Sequence, residues 1–143
     1  LVKYLIKKNK ISKRLKKDLL KPTKIYVNEI LNLSKKNLIN SAAHITGGGL
    51  IENIIRSVPD KLPVNIDLSK IKQKKIFKWL KLKNISDHEM MKTFNCGIGF
   101  CIIIKKKNLN KIKKFFSKDY MPYEIGYISK DIKKINFYNS IKW

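Results

Sequence analysis

The hydrophobic and polar residues of this chain follow two periods, one typical of amphipathic helices and one typical of short strands. The helical period predicts helices at residues 1–8, about 24–35, 50–58, 76–80, from 86 onward, and 109–116. Apolar or alternating runs predict strands at residues 41–46, 62–68, 98–104, 123–128 and 135–138. The polar, basic residues 9–17 are predicted to be a surface connection. Because helices and strands alternate without a strict βαβ rhythm, we expect an α+β fold, an α/β sandwich.

Residues 22–26 are predicted to set the start of the second helix. Pro22 disfavours helix at the residue before it, so Thr23 is predicted to cap the helix of residues 24–35. Tyr26 is predicted to pack along the apolar face of that helix.

Three further positions mark helix boundaries later in the chain. Pro59 and Asp60 are predicted to end the helix of residues 50–58. Ser86, followed three residues later by Glu89, forms a capping-box pattern that explains Glu89 without catalysis. His88 is predicted to have a structural role near that cap.

Three consecutive glycines, Gly47 to Gly49, lie between the strand of residues 41–46 and the helix of residues 50–58. Glycine permits the positive φ angles and close backbone approach that an anion-binding turn at a helix N-terminus needs. The same residues also suit a plain strand-to-helix turn, and both interpretations stay open. Glu52 in the first helical turn is favoured by the helix dipole. Asn53 suits either a cap-region hydrogen bond or a ligand contact.

A second unusual stretch, Thr93 to Phe100, places Asn95, Cys96, Gly97 and Gly99 before the most apolar run of the chain. Gly97 and Gly99 are predicted to be strand glycines that another backbone or a ligand approaches. Cys96 has no obvious partner base, so packing is favoured over a nucleophilic role.

Metal sites find little support in the residue spacing. Cys96 and Cys101 are the only cysteines, and no second pair completes a zinc site. The stretch from His88 begins like a zinc-protease helix motif, but Lys92 stands where the second histidine must be. We therefore predict no metal site within this chain.

Length and hydropathy are typical of a single domain that does not span a membrane. Its 143 residues, 43% of them hydrophobic, suffice for one core, so residues 1–143 are predicted to form a single domain. No apolar run is long enough to span a bilayer, and the N-terminus lacks the features of a signal peptide. We expect a cytoplasmic protein without membrane partners. The chain begins at Leu1 without an initiator Met, so it is expected to be a piece of a longer protein.

The net charge of +23 would ordinarily indicate a polyanion partner. However, only Arg14 and Arg56 are arginines, and the lysines are spread over almost every segment. The abundance of Lys, Ile and Asn fits AT-rich codon usage. We therefore expect mostly solvated surface charge and no specific nucleic-acid binding, with a basic nucleic-acid-binding module kept as an alternative.

Three motifs in order resemble the C-terminal domain of the phosphoribosylformylglycinamidine cyclo-ligase family, the aminoimidazole ribonucleotide synthetases. They are Leu20-Lys21-Pro22-Thr23-Lys24-Ile25-Tyr26-Val27, His44-Ile45-Thr46-Gly47-Gly48-Gly49 with Glu52-Asn53, and His88-Glu89-Met90 with Thr93-Phe94-Asn95-Cys96-Gly97-Ile98-Gly99. The resemblance covers residues 1 to about 128. The chain departs from it at Phe100, commonly Met in the family, and at Lys92, commonly Arg.

The resemblance implies ATP-dependent closure of the imidazole ring of formylglycinamidine ribonucleotide in de novo purine synthesis, with Mg²⁺ accompanying the ATP. It implies a homodimer of two-domain subunits and a mixed, partly ferredoxin-like sheet flanked by helices. The family's N-terminal domain, which binds most of the ATP and Mg²⁺ and forms the dimer, is not part of this chain. We therefore expect the fragment to be inactive alone. Related enzymes that make thiamine phosphate, selenophosphate or hydrogenase ligands are further alternatives.

The resemblance also implies roles for individual residues, although it names no catalytic residue in this half. Thr46, Gly47, Gly48, Gly49 and the following helix would donate N–H groups to a phosphate. The other predicted substrate- or phosphate-binding residues would line the cleft: His44, Glu52, Asn53, Asn95, Gly97 and Gly99.

Overall fold

A computed structural model describes residues 2–59, 62–129 and 135–143 of the chain. Its α-helices are α1 (Val2–Lys8), α2 (Lys13–Leu19), α3 (Val27–Lys35), α4 (Gly49–Arg56), α5 (Lys75–Lys81), α6 (Asp87–Thr93) and α7 (Leu109–Lys113). The strands are β1 (Ser41–His44), β2 (Val64–Asp67), β3 (Phe100–Ile103), β4 (Gly126–Ile128) and β5 (Ile135–Tyr138). Short 3₁₀ helices cover Leu68–Lys70, Lys106–Asn108 and Lys118–Tyr120. Leu1 and Asp60, included in two predicted helix boundaries, lie outside the described residues.

The described strands form two sheets. Strand β2 lies between β4, which is antiparallel to it, and β5, which is parallel to it, so this sheet is mixed as expected. Strands β1 and β3 pair antiparallel in a separate two-stranded sheet, with His44 opposite Phe100. The predicted α+β class is confirmed, while the division into two sheets was not anticipated.

The main hydrophobic core lies between both sheets and the helices α4, α5 and α6. Leu50, Ile66, Leu80 and Met90 are almost completely buried there. A smaller cluster joins Leu33 of α3 to Leu38 and Ile112. Burying each such side chain contributes on the order of 2 kcal/mol, so the larger cluster is the main stabilising element of the region that holds the glycine turn.

The predicted surface connection at residues 9–17 was wrong, because α2 occupies most of it. Ser12 caps this helix: its Oγ accepts a hydrogen bond from the backbone N–H of Leu15 at 3.2 Å. Leu15 and Leu19, one helical turn apart, are half-buried. The many lysines concealed this short amphipathic pattern.

Helix α3 starts at Val27, so the predicted start near residue 24 and the predicted Thr23 cap were wrong. Tyr26 occupies the N-cap position without a side-chain capping bond. Its ring packs against other aromatic side chains, described below, and the chain reaches that position without helical structure at residues 22–26.

The apolar run of residues 98–104 was predicted to be a strand, and a run this apolar is typical of a buried one. Only Phe100–Ile103 form β3, and all four side chains are half-buried. The deeply buried residues are Cys96 and Ile98, which precede the strand. A two-stranded sheet offers little cover on its faces, so a strongly apolar sequence did not produce a fully buried strand.

Helix α6 is held at both of its ends. Ser86 Oγ accepts the backbone N–H of Glu89 at 3.2 Å, which confirms the predicted N-cap. The second bond of the predicted capping box is not formed among the described residues, because Glu89 Oε1 accepts the Thr93 hydroxyl at 2.6 Å instead. The indole N–H of Trp143 donates to Asp87 Oδ1 at 2.8 Å, and Lys81 Nζ lies 2.5 Å from the same oxygen. The residues after β5 thus fix the start of α6 as well.

Candidate functional site

The triple glycine forms a tight left-handed turn between β1 and α4. Gly48 has φ +87° and Gly49 has φ +59°, angles that side chains rarely adopt. The Gly49 N–H donates to the Thr46 carbonyl at 3.0 Å. Within the described part of the chain, the N–H groups of Gly47 and Gly48 have no hydrogen-bond acceptor. The turn therefore has unused donors at the N-terminus of a helix, where the dipole favours an anion.

Gly49 is also where two helices touch through their backbones. A Cβ built at Gly49 would collide with the backbone carbonyl oxygen of Met91, near the end of α6. By contrast, nothing lies within 4 Å of a Cβ at Gly47. The first glycine is thus free of steric demand, and the third is required by helix packing.

Asn53 braces the turn from inside. It is buried, and its Nδ2 donates to the carbonyls of Gly47 at 3.1 Å and Gly49 at 2.6 Å. Its Oδ1 accepts a hydrogen bond from Arg56 Nη2 at 2.7 Å. Of the two roles left open by the sequence, the hydrogen-bonding role is observed; a ligand contact stays a prediction.

Glu52 is exposed, and its side chain lies over Gly48. A Cβ at Gly48 would meet the Glu52 carboxylate, whose Cδ would be 3.0 Å away. The carboxylate and a phosphate at this turn would carry charge of the same sign. Direct contact between them is therefore unfavourable unless a cation lies between them or the side chain moves.

His44 ends β1 beside the turn, with its side chain exposed. The ring of Phe100 stacks on it at 5.8 Å between centroids and 24° between planes. Tyr26 approaches the same imidazole edge-on at 6.1 Å. Phe100 thus supplies one face of this aromatic contact.

The second glycine motif forms a turn of its own. Asn95 Oδ1 accepts the Gly97 N–H at 3.1 Å, and the Asn95 carbonyl accepts the Ile98 N–H at 2.8 Å. Cys96 and Gly97 have φ of +46° and +94°. A Cβ at Gly97 would be 2.7 Å from the Lys72 carbonyl oxygen, so the predicted close approach of another backbone is confirmed at this residue. Gly97 and Gly99 both precede β3, so the prediction that they are strand glycines was wrong.

The pairing of β1 with β3 brings the two motifs together. The Ile45 N–H, one residue after β1, donates to the Gly99 carbonyl at 3.0 Å. Gly99 therefore lies beside the strand that leads into the triple-glycine turn. Asn95 accepts the Gly97 N–H, and Gly97 lies against the backbone of Lys72 and Gln73.

The comparisons with known proteins agree with these motifs. The family model described as "AIR synthase related protein, C-terminal domain" matches residues 2–136. The chain belongs to this family. The resemblance noted from the three sequence motifs is thereby confirmed.

Two relatives are named phosphoribosylformylglycinamidine cyclo-ligase. One, from Ligilactobacillus salivarius, is 46% identical over 114 residues, which are 78% of this chain and 33% of the relative. Another, from Streptococcus pneumoniae, is 44% identical over 119 residues, 82% of this chain and 34% of the relative. The chain thus spans about a third of the length of these relatives. Neither the family nor these relatives support the nucleic-acid-binding alternative or the sister enzymes.

Sequence reasoning missed one residue beside the site, Tyr26. It was assigned to packing along α3, yet its ring contacts both His44 and Phe100. The signal was available, because Tyr26 lies inside the first of the three family motifs.

Burial makes both thiols poor nucleophiles. Cys96 is completely buried, and its Sγ donates to the Met90 carbonyl at 3.4 Å. Desolvation raises the pKa of the Cys96 thiol to about 12, with the Asp87 carboxylate adding to the shift. Desolvation alone raises the pKa of Cys101 to about 12. The expectation that Cys96 packs, and does not react, agrees with this environment.

We expect neither cysteine of the folded chain to react appreciably with dithionitrobenzoate at pH 8. With a pKa of about 12, only about one thiol in ten thousand is ionised at that pH, and the thiolate is the reactive form. The release of thionitrobenzoate, followed at 412 nm, measures the reaction. The urea-unfolded chain is the control and should titrate both thiols; rapid reaction of the folded chain would contradict the assignment.

Residues 2–59, 62–129 and 135–143 carry neither a cluster of metal ligands nor a membrane-spanning helix. There, no group of three or more His, Cys, Asp or Glu residues is placed to hold a metal ion. No helix in those ranges is long and apolar enough to cross a membrane. Glu52 is the single acidic side chain at the glycine turn among the predicted site residues, so the described donors do not form a complete Mg²⁺ site.

Proposed function

We propose that this chain supplies the C-terminal part of a phosphoribosylformylglycinamidine cyclo-ligase. The whole enzyme would use ATP to phosphorylate the amide oxygen of formylglycinamidine ribonucleotide. An internal amine would then close the imidazole ring, giving aminoimidazole ribonucleotide, ADP and phosphate. The observation that carries the proposal is the pair of N–H groups at Gly47 and Gly48 that donate to no acceptor among the described residues, in a chain whose relatives carry the name of this ligase.

The proposed task of the glycine turn is to hold a phosphate group. Backbone N–H donors at a helix N-terminus stabilise negative charge without rearranging, since the turn is already fixed. The buried Asn53 amide and the Gly49–Met91 contact provide that rigidity. Thr46 and His44 are exposed at the same edge and are proposed to add polar contacts. No general base is proposed in this chain, because positioning and charge stabilisation dominate phosphoryl transfer.

Magnesium is proposed to accompany ATP and to be held largely by groups beyond the described residues. Among the described residues, Glu52 would face such an ion, because its carboxylate lies over Gly48. A divalent cation between Glu52 and a phosphate would turn their repulsion into attraction.

The remaining expectations concern the whole protein. Residues 1–143 are proposed to form one domain that works with a second unit corresponding to the rest of the relatives' length. The assembled enzyme is proposed to be a cytoplasmic homodimer, and the chain alone is proposed to be inactive.

A fusion enzyme tests the proposed function. Residues 1–143 replace the matching third of the Ligilactobacillus salivarius relative, and ATP-dependent formation of aminoimidazole ribonucleotide is measured. We expect turnover by the fusion enzyme and none by this chain or by the truncated relative. The intact relative is the positive control. A folded fusion that binds ATP but forms no product would contradict the proposal.

A further inference from the structure

Tyr26 lies at the centre of an aromatic cluster beside the glycine turn. Its ring centroid is 5.2 Å from that of Phe100, 5.7 Å from that of Tyr120 and 6.1 Å from that of His44. The planes make angles of 42°, 88° and 65°, the tilted and edge-on arrangements that aromatic pairs prefer. Tyr26 is half-buried, whereas Ile25 and Val27 on either side of it are exposed. Of residues 25–27, only Tyr26 therefore packs its side chain against the residues beside the glycine turn.

The Tyr26 hydroxyl explains why residue 99 is a glycine. A Cβ at Gly99 would collide with Tyr26 Oη and lie 3.0 Å from its Cζ. Unlike Gly48 and Gly97, Gly99 has no positive φ, so backbone conformation alone does not require glycine there. The requirement comes from the tyrosine. The Gly99 carbonyl accepts the N–H of Ile45, which follows β1. The residue that Tyr26 contacts is therefore hydrogen-bonded to the segment that leads into the glycine turn.

The His44 imidazole is held by rings alone. Phe100 stacks on one face and Tyr26 meets it edge-on, while no hydrogen bond to this imidazole occurs within the described ranges. An exposed side chain without such a bond would otherwise sample several rotamers. Removal of either ring should therefore release His44 from its present orientation.

We propose that Tyr26 is a positioning residue of the cyclo-ligase site, which orients His44 and sets the distance between the β1–β3 pair and α3. This inference rests on the proposed function for its catalytic consequence, but its structural part stands on the aromatic distances and the Gly99 contact. Tyr26 itself is not placed on the reacting atoms. Its contribution is that the site is assembled before the substrate binds.

The first test measures His44 in the 143-residue chain by NMR. The χ1 rotamer populations of His44, taken from its three-bond scalar couplings, are compared in the wild type, Tyr26→Phe and Tyr26→Leu. Phe77→Leu is the matched control, because Phe77 is also half-buried and pairs with an aromatic ring, that of Phe94, at 6.2 Å. We expect the wild type, Tyr26→Phe and Phe77→Leu to show one dominant His44 rotamer, and Tyr26→Leu to show several. One dominant His44 rotamer in folded Tyr26→Leu would overturn the proposal.

The second test is a double-mutant cycle between Tyr26 and Gly99, read as melting temperature. Gly99→Ala should lower the melting temperature clearly in the wild type, because the new methyl group meets the tyrosine hydroxyl. In the Tyr26→Phe background, Gly99→Ala should lower the melting temperature by at most about half as much, because the colliding hydroxyl oxygen is absent. Equal losses in both backgrounds would show that the hydroxyl does not set the requirement at residue 99, and would overturn this part of the proposal.

The third test uses the fusion enzyme defined above. Tyr26→Leu should lower kcat on the order of 100-fold with KM changed less than about threefold, the pattern expected when positioning is lost. Tyr26→Phe should retain kcat within about threefold, and Phe77→Leu should lower it no more than that. A Tyr26→Leu enzyme as active as Phe77→Leu would overturn the catalytic consequence. An inactive fusion without substitutions would instead count against the proposed function, while the NMR and melting experiments would still decide the structural part.

Discussion

Gly48→Asp in the fusion enzyme is expected to lower kcat/KM for ring closure by about 100-fold or more, since loss of a single oxyanion-type donor interaction alone has effects of that size. Gly48 has φ +87°, and a side chain there would meet the Glu52 carboxylate. The substitution therefore adds bulk, strain and a second negative charge where the phosphate is proposed to bind. Steady-state kinetics with varied ribonucleotide and ATP measure the loss.

Gly48→Asn is the matched control for that change. Asparagine has nearly the shape of aspartate and tolerates positive φ better than most residues, but it adds no charge. We expect Gly48→Asn to keep at least about ten times the activity of Gly48→Asp, because the charge carries much of the effect. Equal activities would assign the loss to shape alone, and wild-type kinetics in a folded Gly48→Asp enzyme would contradict a phosphate site at this turn.

Gly49→Ala is expected to lower the free energy of unfolding of the chain by about 3 kcal/mol, the sum of left-handed strain and overpacking. Gly49 has φ +59°, and the added methyl group would collide with the backbone of Met91. A backbone carbonyl near the end of a packed helix cannot rotate away as a side-chain tip can. Urea denaturation followed by circular dichroism measures the difference.

Gly47→Ala provides the comparison within the same turn. Nothing lies within 4 Å of a Cβ at Gly47, and its φ is not among the positive ones. We expect this substitution to change stability by less than about 0.5 kcal/mol, as for ordinary surface positions. If Gly47→Ala and Gly49→Ala were equally destabilising, the α4–α6 contact would not be the reason for the third glycine.

The three glycines thus have different physical requirements despite their identical appearance in the sequence. Gly47 offers an unhindered N–H, Gly48 supplies the left-handed angle under Glu52, and Gly49 permits contact between α4 and α6. The pattern Thr-Gly-Gly-Gly before an amphipathic stretch predicts the turn. It does not predict which glycine is indispensable, since that depends on a helix some forty residues away.

The local signals in the sequence were enough for several elements. Ser86 as an N-cap, the strand of residues 135–138 and the helices near residues 50–58 and 76–80 were all found, with boundaries that differ by at most two residues. Each rests on short-range chemistry such as a capping side chain, a strong apolar period or a proline. Helix α2 was missed because lysines masked its two half-buried leucines. The predicted Thr23 cap was wrong because α3 begins at Val27, with Tyr26 at its N-cap position.

The sequence by itself determined the family, the α+β class and the two glycine motifs, because these depend on residue types in a fixed order. Only the tertiary structure decided that β1 and β3 form a sheet apart from β2, that Gly99 lies beside Ile45, and that Tyr26 holds His44. These contacts join residues far apart in the chain, and their geometry follows from how helices and strands pack. The local residue pattern is enough to predict the turn, whereas the site around it forms only where segments far apart in the sequence come into contact.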